Sequence, residues 1–301
     1  MKKSLIRTIA VSLIAASFFS VTTSKKTEAD EFGKCGQRLM FHKGMAVAKY
    51  ALSLKDKSYY QMPEPVMIGG HWCAAFTKYV YFNIEEQVSE YNRVTRTVEF
   101  NKDRFFDFNK PGMKERYIPG PGDLIVYEED GDLGEGYEHE HIGVVIDSKK
   151  INGEWCPSTV EGNYFDIDVS DEDLQKITYD QYRELSNSRE HEYQTRRVGY
   201  LPYNRVRRQM IAGYIQADRT MIDTVYGDVN ADGKINAADA TLILRAILIM
   251  DTNGGVLNDN LNTNLSVAEL YYRLDADGDG QIKPIDATIV SRYSLIHDMR
   301  R

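Results

Sequence analysis

The stretch Gly69-Gly70-His71-Trp72-Cys73-Ala74-Ala75-Phe76 decides the reading of the fold. Two glycines close an extended segment, after which Cys73, Phe76, Val80 and Ile84 recur at helical spacing. That pattern predicts an amphipathic helix with Cys73 in its first turn. Unpaired N–H groups and the positive end of the dipole at a helix start favour an ionised sulfur, and a neighbouring histidine would favour it further. The competing reading is that a cysteine between Trp72 and Phe76 is a small buried hydrophobe.

Working outward, Met45, Ala48, Ala51 and Leu52 predict a short helix over 41–54, ahead of the cysteine. Beyond it, the polar stretch from Glu85 to Lys110 has little periodicity and reads as a helical or irregular insertion. Pro119-Gly120-Pro121-Gly122-Asp123 is a turn cluster feeding the strand Leu124-Ile125-Val126-Tyr127. An acidic, glycine-broken loop follows from Glu128 to Glu140; Asp130, Asp132 and Glu135 offer oxygens to a hard cation, and the plainer reading is a solvated hairpin loop. His141-Ile142-Gly143-Val144-Val145-Ile146 alternates as a strand, placing His141 and Gly143 on one face. His139 would share that face, and the alternation does not choose between the two histidines as a base. A zinc site on this pair lacks a further ligand cluster. In Ser158-Thr159-Val160-Glu161-Gly162-Asn163-Tyr164, alternation puts Glu161 and Asn163 on one face, and either can fix an imidazole tautomer by accepting its N–H. Cysteine, histidine, then a carboxylate or amide is a full set of nucleophile, base and orienter.

Trp72-Cys73-Ala74-Ala75-Phe76, Pro121-Gly122-Asp123-Leu124, His141-Ile142-Gly143-Val144-Val145 and Glu161-Gly162-Asn163, in that order, resemble the motifs of the CHAP family, the cysteine, histidine-dependent amidohydrolases/peptidases. The resemblance spans about residues 35–204. It implies a papain-like α+β catalytic domain with a cysteine-bearing helix on an antiparallel sheet. It also implies Cys73 as nucleophile, His141 as base and then acid, Glu161 as orienter and Asn163 as its assistant, with no metal in the catalytic cycle. The implied substrate is bacterial peptidoglycan, cut as an amidase or an endopeptidase through a thioester. The segment between Phe82 and Pro119 is longer than the compact family pattern.

The C-terminal quarter carries an internal repeat. Twelve-residue loops run from Asp228 to Asp239 and from Asp275 to Asp286, with oxygen-bearing side chains at positions 1, 3, 5 and 12 and glycine at 6. The first offers Asp228, Asn230, Asp232, the carbonyl of Lys234, Asn236 and Asp239; the second offers Asp275, Asp277, Asp279, the carbonyl of Gln281 and Asp286. Ile235 and Ile282 at position 8 anchor both loops to a shared core. Each loop ends in Asp and is followed by one helix with no clear helix before it, Ala240-Thr241 being echoed by Ala287-Thr288 and Arg245 by Arg292. The pair resembles a dockerin, the calcium-dependent module that plugs enzymes into cohesin domains of cellulosomal scaffoldins. This implies an all-α module over 227–301 with two calcium ions. Lys283 departs from the pattern at position 9, and the stretch from Asp251 to Glu269 is long. The helix Leu242–Met250 is more apolar than so small a module can bury, so part of it is expected to be a partner surface.

At the other end, Lys2, Lys3 and Arg7 precede an apolar run over 9–19 and small residues leading to Ala29, the order of a secretory signal. Ser24 competes with Ala29 as the cleavage point. Cleavage after Ala29 removes five cations and one carboxylate, taking the formal charge from -8 to about -12. That acidity argues against nucleic acid or anionic membrane as partner. Of three cysteines, Cys73 as a free thiol leaves Cys35 and Cys156 as the pair that could oxidise. The expected organisation is a signal (1–29), a catalytic domain (30–212), a linker (213–226) entered from a terminal helix over Met210–Ile215, and the calcium module (227–301). Two rival readings remain: a cysteine peptidase acting on proteins, and a non-catalytic cell-wall-binding subunit. Either way the chain is expected outside the cell.

Overall fold

The computed structural model describes residues 32–62, 72–81, 89–92, 97–100, 104–108, 110–128, 141–151, 153–165, 181, 193–198 and 210–299. The expected secretory signal lies outside the described residues, as do His71, Ile84, Asp130, Asp132, Glu135, His139 and the basic residues Arg205, Arg207 and Arg208.

Six strands form one antiparallel sheet: β4 (Phe105–Asp107), β5 (Leu124–Glu128), β6 (His141–Ile151), β7 (Glu154–Phe165), β8 (Tyr193–Val198) and β9 (Met210–Ile215). Their order across the sheet is β4-β9-β5-β6-β7-β8. Two helices, α1 (Lys43–Ser53) and α2 (Cys73–Val80), pack against β6, and α2 also reaches β7. The contact follows from alternation. Leu124, Val126, Ile142, Val144 and Val160 face the helices and share one core with Val47, Tyr50, Phe76 and Val80. Ile125, Tyr127 and Val145 face the other way and join Tyr117 and Tyr214 in a second cluster. With both faces covered, Leu124-Ile125-Val126-Tyr127 is an unbroken apolar run, as a fully buried strand requires. Trp72 and Phe76 are wholly buried, and side chains of that size contribute about 1.5–3 kcal/mol each on leaving water.

The Pro-Gly-Asp turn owes its strength to Asp123. This fully buried carboxylate accepts from the Tyr117 hydroxyl (2.8 Å), the Gly120 N–H (2.8 Å), the Ala217 N–H (2.9 Å) and the Arg219 guanidinium (2.9 Å). Four donors offset the cost of burying a charge, and they fasten the start of β5 to the segment after β9.

Three expectations are corrected. Within the stretch 85–110, the described residues form a hairpin of β2 (Ser89–Asn92) and β3 (Thr97–Phe100) plus β4, and no α-helix appears among them. Met210–Ile215 is strand β9 and not a terminal helix: it lies between β4 and β5, where Ala212, Tyr214 and Ile215 are buried. The span 213–226 is no linker, because after the end of β9 it forms β10 (Met221–Val225), paired antiparallel with β1 (Arg38–His42). As for the cysteine pair, all three cysteines are buried free thiols. Cys35 lies against Gly227, whereas Cys156 Sγ sits 3.7 Å from the Glu154 carbonyl on β7.

Beyond the one-turn helix α3 (Met113–Arg116), the C-terminal region holds α4 (Ala237–Thr252), α5 (Val267–Arg273) and α6 (Pro284–Met299), with α4 packed on α6 and α5 on α1. A capping box starts α4 at Asn236 and Asp239, and another starts α5 at Ser266 and Glu269. Because α5 ends just before Asp275, the second loop has a helix on both sides, while strand β10 precedes the first. Phe32–Arg301 form one compact unit. Phe41 stacks on Tyr272 with ring centroids 4.3 Å apart, and the Tyr50 hydroxyl donates to the Leu257 carbonyl.

Candidate active site and calcium loops

Cys73 is the first residue of α2, where the backbone turns out of Trp72 into the helix. Its side chain is 1% exposed and belongs to the helix-side core. The first turn of α2 lies hard against β7 at Gly162. A Cβ there would stand 2.7 Å from Phe76 Cβ and 2.8 Å from Trp72 Cζ3, so only glycine permits the approach. That contact puts the cysteine's turn beside the residue that follows Glu161.

His141 opens β6 and Glu161 lies in β7; both are buried, and His141 Nε2 is 2.9 Å from Glu161 Oε2. Gly143 makes room for the carboxylate to cross, since a Cβ there would sit 2.6 Å from Glu161 Cγ. The other carboxylate oxygen, Oε1, accepts from the Tyr127 hydroxyl (2.8 Å) and from Thr159 Oγ1 (2.7 Å). Tyr127 also stacks on the imidazole at 5.8 Å and 26°. Burial pushes the Glu161 carboxyl up, but the hydrogen bond and charge of His141, with the Thr159 and Tyr127 hydroxyls, outweigh it and hold Glu161 below its ordinary range. An ionised Glu161 only accepts, so Nε2 carries the proton and Nδ1 is the basic nitrogen.

The structure thus brings His141 and Glu161 together and adds Tyr127 and Thr159 to them. Ile142, Val144 and Val160 face the helices, so His141 and Glu161 project from the opposite side of the same strands, whereas Cys73 belongs to the helix-side core. Asn163 does not share a face with Glu161 by simple alternation. The β7–β8 register shifts between Glu161 and Tyr164, and Asn163 takes a φ of 62° inside that bulge. Tyr127 and Thr159 went unnoticed in the sequence. Thr159 was within reach as the residue two before Glu161 on one strand face, but Tyr127 depends on the β5–β6 register, which pairs it with His141.

The two loops have a different chemistry. Asx-type bonds shape them: Asn230 Oδ1 accepts from Asp232 N, Asp232 Oδ1 from Lys234 N, Asp277 Oδ1 from Asp279 N and Asp279 Oδ1 from Gln281 N. At position 12, Asp239 accepts from the N–H groups of Val229, Asn230 and Asn236, and Asp286 from those of Asp277 and Lys283. Asn236 caps α4 by accepting from Ala238 N. At position 1 of both loops, Asp228 Oδ1 and Asp275 Oδ1 are buried with no hydrogen-bond partner. An orphaned carboxylate oxygen at equivalent places in two repeats fits a cation and is otherwise costly. In the second loop, Asp275, Asp277 and Asp286 each offer an oxygen, all within 4.8 Å of one another, about twice a calcium–oxygen distance. Burial, then the nearby charges of Asp277 and Asp275, drives the Asp286 carboxyl up to about 6 against its backbone donors. Asp239 is raised by burial and by Asp228. A divalent ion would relieve this crowding.

This is a two-loop, EF-hand-like calcium module. Residues 226–295 match the profile of the dockerin type I domain, so the chain carries a C-terminal dockerin. Dockerins of this type bind calcium and attach to scaffoldin cohesins, which makes the protein extracellular and cellulosome-associated. No curated protein and no solved structure matches the chain. Among the described residues, no helix is long and apolar enough to cross a membrane.

Proposed function

We propose that the portion before the dockerin is a papain-like cysteine amidohydrolase of CHAP type, acting on peptidoglycan and delivered to a scaffoldin by the dockerin. The observation that supports it best is the buried His141–Glu161 pair at 2.9 Å, with Tyr127 and Thr159 holding the carboxylate. In this reading Cys73 is the nucleophile and His141 Nδ1 its base, which requires the thiol to reach past the end of β6, where His141 is the first strand residue. The thiolate attacks an amide carbonyl, backbone N–H groups at the start of α2 receive the oxyanion, and imidazolium His141 protonates the leaving amine. Water activated by the same histidine then releases the acyl group from the thioester. Glu161 is the positioning residue, and Asn163 assists from the bulge. Peptidoglycan as substrate rests on the four ordered motifs.

In the dockerin, Asp228, Asn230, Asp232, Asp239 and the Lys234 carbonyl would hold one calcium ion, with Asn236 beside it. Asp275, Asp277, Asp279, Asp286 and the Gln281 carbonyl would hold a second. Leu244 (53% exposed) and Leu248 (64%) on α4 support a cohesin-facing surface.

The test is digestion of peptidoglycan by the full chain and by Cys73→Ala, with calcium and a reductant, followed by mass spectrometry of the fragments. New amino termini that vanish in Cys73→Ala are the expected result, and their masses name the bond. A digest without new amines rules out this substrate.

A further inference from the structure

The second calcium loop is not surrounded by the dockerin alone. Lys49, on α1, places its Nζ 2.8 Å from Asp275 Oδ2, and the two side chains are only 24% and 6% exposed. The same Oδ2 accepts from Gly280 N at 3.0 Å, which leaves the buried, unpartnered Oδ1 as the oxygen available to an ion. Lys34, from the segment before β1, donates to the Gly278 carbonyl at 3.4 Å. Lys283 pairs with Asp279 Oδ2 at 3.3 Å from the position where the first loop has Asn236. Three ammonium groups therefore touch the second loop, two of them from outside the module.

The first loop is treated differently. Asp228 Oδ2 accepts from the neutral Thr224 hydroxyl at 3.1 Å, and the cation nearby, Arg273, donates to the Asp228 backbone carbonyl at 3.0 Å. No ion pair to a carboxylate of this loop is found among the described residues.

We propose that Lys49 is a resident counter-ion of the second calcium loop, supplied by the catalytic half, which makes this site bind calcium more weakly than the first and ties its affinity to the seam between the two halves. The ammonium takes the Asp275 oxygen that calcium would not use. It therefore leaves the ligand in place while opposing the incoming ion by like charge a few ångströms away in a half-buried setting. The Lys49 ammonium also lies over the Tyr272 ring, with Nζ 5.0 Å from its centre, so α1 and α5 fix where the charge stands. This inference rests on the calcium reading of the second loop and is independent of the amidohydrolase.

The experiment is calorimetric calcium titration of the calcium-stripped full chain, as wild type, Lys49→Gln, Lys49→Met and Lys49→Arg. Two binding steps are expected in the wild type. Lys49→Gln, which keeps a donor but not the charge, should tighten the weaker step by roughly tenfold or more, the scale of removing one like charge near a divalent ion. The tighter step should move by less than about twofold, and Lys49→Arg should titrate like the wild type. Lys49→Met carries the same expectation if the Gln variant folds poorly. An unchanged weaker step, or equal movement of both steps, overturns the role of Lys49 alone. A single bound ion in every form overturns the calcium reading of the second loop with it.

Discussion

Glu161 has no solvent to stabilise its charge, and three protein donors stand in for it: His141, Tyr127 and Thr159. Replacing it by Gln keeps the shape but presents an amide that can donate as well as accept, so the tautomer of His141 is no longer dictated. The expected result is a loss of kcat by about a hundredfold or more with KM little changed, measured on the fragment-release reaction. Equal kcat values for Glu161→Gln and wild type would remove Glu161 from its positioning role. The sign of the pH effect follows from the depressed carboxyl. Its contribution to stability is present above about pH 4, the unfolded range, and is lost as pH falls through the lower folded value.

Between elements, the decisive contact is α2 on β7. Gly162→Ala would force a methyl group into Phe76 and Trp72 and push the first turn of α2 off the strand. Chemical denaturation should show a loss of about 1–3 kcal/mol, and an unshifted midpoint would mean that the helix does not sit where the structure has it. Much at this scale was legible beforehand. Period-3.6 spacing placed α2 from Cys73, and period-2 alternation placed His141 with Gly143 on one strand face. Other parts were hidden for definable reasons. Alternation fails at Asn163 because a bulge interrupts it, and Tyr127 meets His141 only through a cross-strand register that no local pattern encodes. Met210-Ile211-Ala212-Gly213-Tyr214-Ile215 is a short apolar run in which helix and strand look alike, and only its place between β4 and β5 decides. Helix α5 was announced by its Ser266–Glu269 capping box but hidden by the long polar stretch before it.

Across the whole molecule, the dockerin is packed on the other half of the chain and not hung from a tether. The Phe41–Tyr272 stack and Lys49 on Asp275 bring β1 and α1 against the calcium module, while Arg273 on Thr224 joins the module to β10, itself paired with β1. The two orphaned oxygens of Asp228 and Asp275 explain why such a module needs its ions. The chain also sets its three thiols in different surroundings. Burial, with Asp239 nearby, pushes the Cys35 thiol up to about 12; burial and Glu154 raise that of Cys156; Cys73 alone starts a helix beside the strand that carries Glu161. The most direct measurement is therefore the rate of iodoacetamide labelling of each cysteine in the folded chain near neutral pH, read by peptide mass spectrometry, for wild type and His141→Ala. Cys73 should react roughly a hundredfold faster than Cys35 and Cys156, and His141→Ala should erase most of that difference. Labelling of Cys73 as slowly as Cys35, with no response to His141→Ala, would contradict the assignment of a cysteine–histidine catalyst.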